Sequence, residues 1–290
     1  MTNHALFVGL ITLDLIYLAE SAPQNNQKLV ASDYTVAAGG PATNASVTFS
    51  YLGNQATVLG VLGSHPMTQL IRGDLTKYNV AIADLAPHIN TAPPVSSIIV
   101  TQATGERAVI SINAVKTPAD VASIPADILN NIDIVLIDGH QMQVGYAIAK
   151  MAKAHHIPVV IDGGSWKTGF EQVLPLGDYA ICSANFHPPN CHSETEVFAY
   201  LQALGVPHIA VTHGEQPITY SSRGQFGTIA VPSIQPVDTL GAGDIFHGAF
   251  CHYILQADFT HALDQAAKIA AEACKHFGTR RWMDLRSEQE

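Results

Sequence analysis

The chain has 290 residues, of which 14 are Lys or Arg and 24 are Asp or Glu, giving a formal charge of −10; it is 47% hydrophobic but only 13% charged, about half the usual ~25%. That balance excludes a disordered chain, which needs low hydrophobicity and high charge density, and the 22 Gly carry no collagen period. The acidity argues against nucleic acid as a partner, since the densest basic cluster is only Arg280-Arg281 with Arg286.

In chain order, the apolar start from Ala5 to Leu18 lacks a basic leader and carries Asp14, so it reads as strand and not as a signal peptide. A strand-like run covers Phe7 to Leu13, and Asp14 interrupts it. A carboxylate in so apolar a setting must be paired, hydrated at a strand end or used to bind a ligand. An extended stretch follows around Lys28–Val36, and then the glycine turn Ala38-Gly-Gly-Pro-Ala-Thr-Asn44-Ala-Ser46, with Pro41 suited to the first position of a helix. Asn44 would face out from that helix start with both amide donors and its acceptor, the inventory for reading vicinal hydroxyls; a plain helix start would read the same. Ser96–Gln102 and Arg107–Asn113 flank Ala103-Thr-Gly-Glu106 as a hairpin.

From the middle onward, short aliphatic runs alternate with helical patterns. Strands are expected at Ile132–Asp138, Ile157–Asp162, Tyr179–Ser183 and His208–Thr212, with helices at about Gln141–His155 and Glu194–Gly205. Such alternation implies a mostly parallel sheet covered by helices. A second hairpin, Ile218–Ser222 with Gln225–Val231, follows, and helices close the chain at about Gly243–Gln256 and Thr260–Phe277. No linker or repeat separates independent units. The first hairpin and the Lys28 stretch, both in the N-terminal half, are expected outside the main sheet as a small β layer.

The sharpest segment is Asp238-Thr-Leu-Gly-Ala-Gly-Asp244, which opens a helix. A glycine turn there aims backbone N–H groups at one spot, and the helix dipole adds positive potential, so an anion such as a phosphate fits. Asp244 would stand beside that anion, where a general base must be to take a proton from an attacking hydroxyl; a simple helix cap would use the same residues. There is no P-loop, no G-x-G-x-x-G and no D-F-G. The 14 histidines form no zinc spacing, so no direct protein ligand for a metal is identified. Cys182, Cys191, Cys251 and Cys274 make no CxxC pair and suit a reducing cytosol. No run reaches the ~18–20 apolar residues of a membrane helix, so a cytoplasmic protein without membrane contact is expected.

Taken together and in order, Asp14, Gly39-Gly40-Pro-Ala-Thr-Asn44 and Asp238–Asp244 resemble the ribokinase-like, or PfkB, carbohydrate kinase family over nearly the whole chain. The resemblance implies a three-layer α/β/α fold with a mostly parallel central sheet. It also implies a single kinase domain over 1–290, with lid strands from about 15–37 and 95–114. The activity implied is transfer of the γ-phosphoryl of ATP, with Mg²⁺, to a hydroxymethyl group of a sugar. By position, Asp244 is similar to the family's catalytic base, and the amides of Gly241, Ala242 and Gly243 to its anion hole. Asp14, Gly39, Gly40 and Asn44 correspond to sugar contacts, and Arg107 on the lid hairpin to a group reaching the substrate or its phosphate. Thr212 and Gly214 resemble the nucleotide turn, with Asn185 beside it; Asp238 and Thr239 sit where members hold a monovalent cation such as K⁺. Two departures stand out: Pro217 replaces a glycine of that turn, and Pro188 replaces the glutamate of an N-x-x-E motif that arranges hydrated Mg²⁺. The spelling around Gly9–Asp14 and Phe246-His-Gly248 is nearest to ketohexokinase and sulfofructose kinase, which leans the acceptor toward a ketose. A nucleoside kinase of the same fold and a non-catalytic sugar or nucleotide sensor remain the alternatives. An exposed lid edge invites a homodimer.

Overall fold

The computed structural model describes residues 2–112 and 118–287. The first half contributes strands β1 (His4–Val8), β2 (Thr12–Ala19), β3 (Asp33–Gly39), β4 (Gln55–Gly60), β5 (Val80–Asp84), β6 (Val95–Thr101) and β7 (Arg107–Ser111), with helices α1 (Pro41–Tyr51) and α2 (Thr68–Lys77). The second half contributes β8 (Ile134–Ile137), β9 (Val159–Gly163), β10 (Tyr179–Ser183), β11 (His208–His213), β12 (Gln216–Ser222) and β13 (Gln225–Ile229). Its helices are α3 (Met142–Ala154), α4 (Phe170–Val173), α5 (Glu194–Ala203), α6 (Ala242–Ile254), α7 (Phe259–Ala273) and α8 (Arg281–Ser287).

A nine-stranded sheet runs β13-β12-β11-β10-β9-β8-β1-β4-β5. From β11 to β5 every pairing is parallel, and β12 and β13 add an antiparallel edge. The strand period of two sorts side chains into two cores. Phe7, Ile134, Leu136 and Ile181 face α1, α2, α6 and α7, whereas Leu6, Val8, Val135 and Ile137 face α3, α4 and α5. Strands covered on both sides must be apolar throughout, which is why Ile134–Ile137 reads Ile-Val-Leu-Ile. The chain winds away from β1 in both directions, to β4 and to β8, and such a switch point opens a crevice at the carboxyl ends of the strands.

Four strands form a second, smaller sheet in the order β3-β2-β6-β7, at the location expected but with different limits. β2 starts at Thr12 and β3 only at Asp33, so the extended stretch assigned to Lys28–Val36 is strand in its second half alone. The 113–114 end of the expected hairpin lies outside the described residues. The run Phe7–Leu13 is not one strand. β1 stops at Val8, and just beyond it the Asp138 carboxylate takes the Leu10 N–H at 2.9 Å and lies against Gly9, 2.0 Å from where a Cβ would stand. Asp14 therefore sits on the small sheet and not at the end of a main-sheet strand. Its neighbours on the same face, Ile16 and Ile98, pack onto Phe277 and turn this face toward the main body. The second hairpin, β12–β13, extends the main sheet edge.

Candidate active site

Two helix starts meet above the carboxyl ends of the strands. α1 begins with Pro41 at its first turn after Gly40, whose φ of 99° excludes a side chain without strain. Asp138 anchors this start, accepting from the N–H groups of Leu10 at 2.9 Å, Ala42 at 3.1 Å and His140 at 2.8 Å. Burial works to raise the Asp138 pKa, but His140 and these donors outweigh it and hold it at about 2. α6 begins after Gly241, which is left-handed at φ 69°. Gly248 lets the helices approach: a Cβ there would stand 2.3 Å from the Ala45 carbonyl oxygen of α1.

This close crossing joins Asn44 to Asp244, whose Oδ2 accepts from Asn44 Nδ2 at 2.8 Å. The other end of the amide is also engaged, as Asn44 Oδ1 accepts from Arg280 Nη1 at 2.9 Å. Asn44 is buried, not outward-facing as its helix position suggested, and it relays the orientation of Arg280 to Asp244. Arg280 is itself fixed by the Ala38 carbonyl at 2.7 Å and by Asp74 at 3.2 Å. Burial foremost, then the charge of Asp162 on β9, raises the Asp244 pKa to about 6, against the Asn44 hydrogen bond and the charges of His247 and Arg107. His247 ties α6 to the sheet through Nε2 at the Ile181 carbonyl of β10, 3.2 Å away, while its Nδ1 lies 2.7 Å from the Gly243 carbonyl in the first turn of its own helix.

At the α6 start, the Ala242 N–H reaches the Thr239 carbonyl at 3.3 Å. Gly241 and Gly243 flank it in the first turn, where amides point outward along the helix axis. Asp238 is buried, and its oxygens accept from Leu240 N–H and Gly278 N–H, each at 2.8 Å. Arg107, exposed on the inner row of β7, donates to both the carbonyl and the hydroxyl of Thr239 at 3.2 Å. Its guanidinium is thus engaged with the turn and not held out over the crevice.

Asp14 lies on the small sheet's inner face, 6% exposed, with Oδ1 buried and lacking a hydrogen bond. Burial raises its pKa to about 6, although a Ser96 hydrogen bond and the Arg280 charge oppose the shift. Gly39 makes room for it, since a Cβ there would fall 2.0 Å from the Asp14 carboxylate. An unpaired buried carboxylate oxygen beside the glycine turn is an acceptor awaiting hydroxyl donors.

The nucleotide candidates lie at neighbouring strand ends. Thr212 closes β11 and donates to the Cys182 carbonyl at 3.3 Å, while Gly214 makes the turn into β12 at φ 64°. Asn185 is exposed after β10, its N–H bonded to Ser183 Oγ at 3.1 Å. Pro188, where the resemblance expects a glutamate, is buried, and among the described residues no cluster of three or more His, Cys, Asp and Glu could hold a metal.

Arg280, Asp74, Asp138, Asp162 and His247 were not anticipated as site residues. Signals existed: Arg280 stands between Phe277 and Trp282 in an apolar setting, where a charge must be paired, and Asp138 and Asp162 each follow an aliphatic run at the end of a parallel strand.

A family model described as pfkB family carbohydrate kinase matches residues 2–285. The ribokinase of Bacillus subtilis is 25% identical over 295 residues, covering 98% of this chain and 97% of that protein. The deoxyribokinase of Salmonella typhi is 24% identical over 290 residues, covering 94% and 92%. The structure of Arabidopsis thaliana ribokinase complexed with ribose and ATP superposes with a TM-score of 0.77 at 21% identity, covering 96% of this chain and 94% of that one. The spelling likeness to ketohexokinase and sulfofructose kinase is not echoed by these relatives.

Proposed function

Because the chain belongs to the pfkB family of carbohydrate kinases, and so is a phosphotransferase with an alcohol acceptor, we propose that it transfers the γ-phosphoryl of ATP to a hydroxymethyl group of a pentose, with Asp244 as general base. The observation that carries this reading is the Arg280–Asn44–Asp244 chain, which presents a carboxylate with a pKa of about 6 at the amide-rich start of α6. A base poised there is ionised at neutral pH yet basic enough to accept the proton of a sugar hydroxyl as it attacks. The amides of Gly241 and Gly243 would stabilise the charge spread over the moving phosphoryl group, and that of Ala242 would join them only by turning from the Thr239 carbonyl it now reaches at 3.3 Å.

Asp14 Oδ1 would accept from sugar hydroxyls, with Gly39 and Gly40 letting the ring approach the backbone and Asn44 offering its second amide proton. Thr212, Gly214 and Asn185 would receive the nucleotide. When bound, Mg²⁺ would neutralise triphosphate charge; Asp244 and Asp162, whose charge is felt at Asp244, would be the carboxylates to hold its water shell, chemistry that suits this hard ion. The small sheet, packed on Phe277 and clasped to Thr239, would act as a lid that excludes water from the reaction. The residues 2–287 then work as one kinase unit. The pentose preference rests on the ribokinase and deoxyribokinase relatives, and it replaces the ketose expectation.

The test is ADP release from ATP and Mg²⁺ over pentoses, deoxypentoses, ketoses, aldoses and nucleosides. The reading expects turnover confined to pentoses or deoxypentoses. Turnover with nucleosides alone would transfer the activity to that acceptor class, and binding of ATP and sugar without ADP would make the protein a sensor.

A further inference from the structure

The family resemblance implies a monovalent cation at Asp238 and Thr239, and the residues present do not fit one. A bound K⁺ needs carbonyl and carboxylate oxygens with lone pairs to spare, aimed at a common point. Here the Thr239 carbonyl already accepts twice, from Ala242 N–H at 3.3 Å and from Arg107 Nη1 at 3.2 Å. The Thr239 hydroxyl donates to the Gly105 carbonyl at 3.1 Å and accepts from Arg107. Each Asp238 oxygen already holds one backbone N–H group, and the Arg107 guanidinium bonded to the same turn repels a second cation from the lone pairs that remain. The buried polar side-chain atoms left without a partner among the described residues are on Asp14 and His140, none of them at this turn.

We infer that the Arg107 guanidinium is the resident cation of this turn, supplying from the small sheet the positive charge that a monovalent ion would otherwise bring to the anion-binding start of α6. Its position is built. Arg107 lies on the same face of the small sheet as Val100, opposite it across the β6–β7 pair. The hairpin tip is seated on the strand that leads into the turn, with Gly105 O accepting the Thr239 N–H at 3.2 Å. Gly105 is required at that seat, because a Cβ would come 3.1 Å from the Val237 carbonyl and its φ is 68°. The charge therefore travels with the small sheet: it is at the turn while the hairpin is docked and leaves when the hairpin lifts. A free ion has no such link to the sheet.

The inference rests on the kinase reading for its kinetic arm but not for its binding arm. Wild-type protein and the variants Arg107→Ala and Arg107→Lys would be compared in KCl, NaCl and choline chloride at equal ionic strength. The readouts are ADP release with the best sugar of the panel, melting temperature without substrates, and ²⁰⁵Tl⁺ NMR as a K⁺ probe. Wild type is expected to show the same rate and melting temperature in all three salts, and no saturable Tl⁺ site. Arg107→Ala is expected to lose up to about 10²–10³-fold in rate, the range for one removed group that stabilises transition-state charge, and to regain part of it with K⁺ or added guanidinium. Arg107→Lys should remain salt-indifferent. Stimulation of wild type by K⁺ over choline, or saturable Tl⁺ binding to it, would overturn the inference. If no sugar is turned over, the kinase reading fails, while the melting and Tl⁺ arms still decide whether the turn takes an ion.

Discussion

Asp14 and Asp244 are both held near pH 6 by burial, and each has a measurable consequence. For an acid whose folded pKa lies above its unfolded one, the folded state prefers the neutral form. The penalty is absent below the unfolded value near 4, grows as pH rises toward 6, and is full above it. Asp14→Asn should therefore stabilise the protein at pH 7 by about 1–3 kcal/mol, the gain fading between about pH 6 and pH 4. The same variant should lose sugar affinity, a trade of function against stability; urea unfolding at several pH values, with sugar titrations, checks both. For Asp244, kcat/KM should fall as pH drops through about 6, as the base takes up its proton, and a flat pH–rate profile there would contradict its role. Asn44 and Asp244 are legible because each sits in a local glycine motif, and Asp14 because its carboxylate interrupts an apolar run. For Arg280 and Asp162 the sequence shows only a charge in an apolar setting; what makes them part of the site is contact with residues far away in sequence, 236 positions away in the case of Arg280 and Asn44.

At the level of elements, the site is the product of how closely α1 and α6 cross. Gly248→Val would drive a side chain into the Ala45 carbonyl and push α6 off α1. The expected result is a stability loss of about 1–3 kcal/mol from overpacking, with kcat falling further than that loss explains, because Asp244 is carried away from Asn44; thermal melts beside kinetics separate the two. Arg280→Met would leave Asp74 and Asn44 without their partner and should cost about 3–5 kcal/mol, the usual loss from breaking a buried ion pair. The parallel strands β8 to β11 were legible because burial on both faces makes them near-continuous aliphatic runs. The unit β4–α2–β5 went unread for the converse reason: α2 reads Thr-Gln-Leu-Ile-Arg-Gly-Asp-Leu-Thr-Lys and buries only Thr68, Ile71 and Leu75, so its sequence shows little apolar face. The break after Val8 was invisible because the Asp138 carboxylate that meets Gly9 and Leu10 there arrives from another strand.

For the whole molecule, the small sheet faces inward with Asp14 and Arg107 and outward with apolar side chains. Tyr17 pairs with Tyr34 across β2 and β3 on the outer face, and Tyr34 is 68% and Ile110 79% exposed. We propose that this face pairs with a second copy, as the edge and its apolar surface invite. Light scattering should then give a dimer, and Tyr34→Glu with Ile110→Glu should return a folded monomer; a wild-type monomer at all concentrations would rule the pairing out. Among the described residues no helix is long and apolar enough to cross a membrane. The sheet's existence is readable from strand order and type, but its limits are not, since 28–32 look as extended as 33–39 and only the latter pair with β2.

The most direct measurement is ADP and sugar-phosphate formation, followed together by coupled assay and ³¹P NMR, for wild type and Asp244→Asn with ATP, Mg²⁺ and a pentose. Wild type should form ADP and pentose phosphate in equal amounts, and Asp244→Asn, folded and melting no lower than wild type because the buried charge is gone, should be slower by about 10²–10⁴-fold, the contribution of a positioned general base. An Asp244→Asn variant that keeps half the wild-type rate would contradict the assignment of the base, and with it the account of the site.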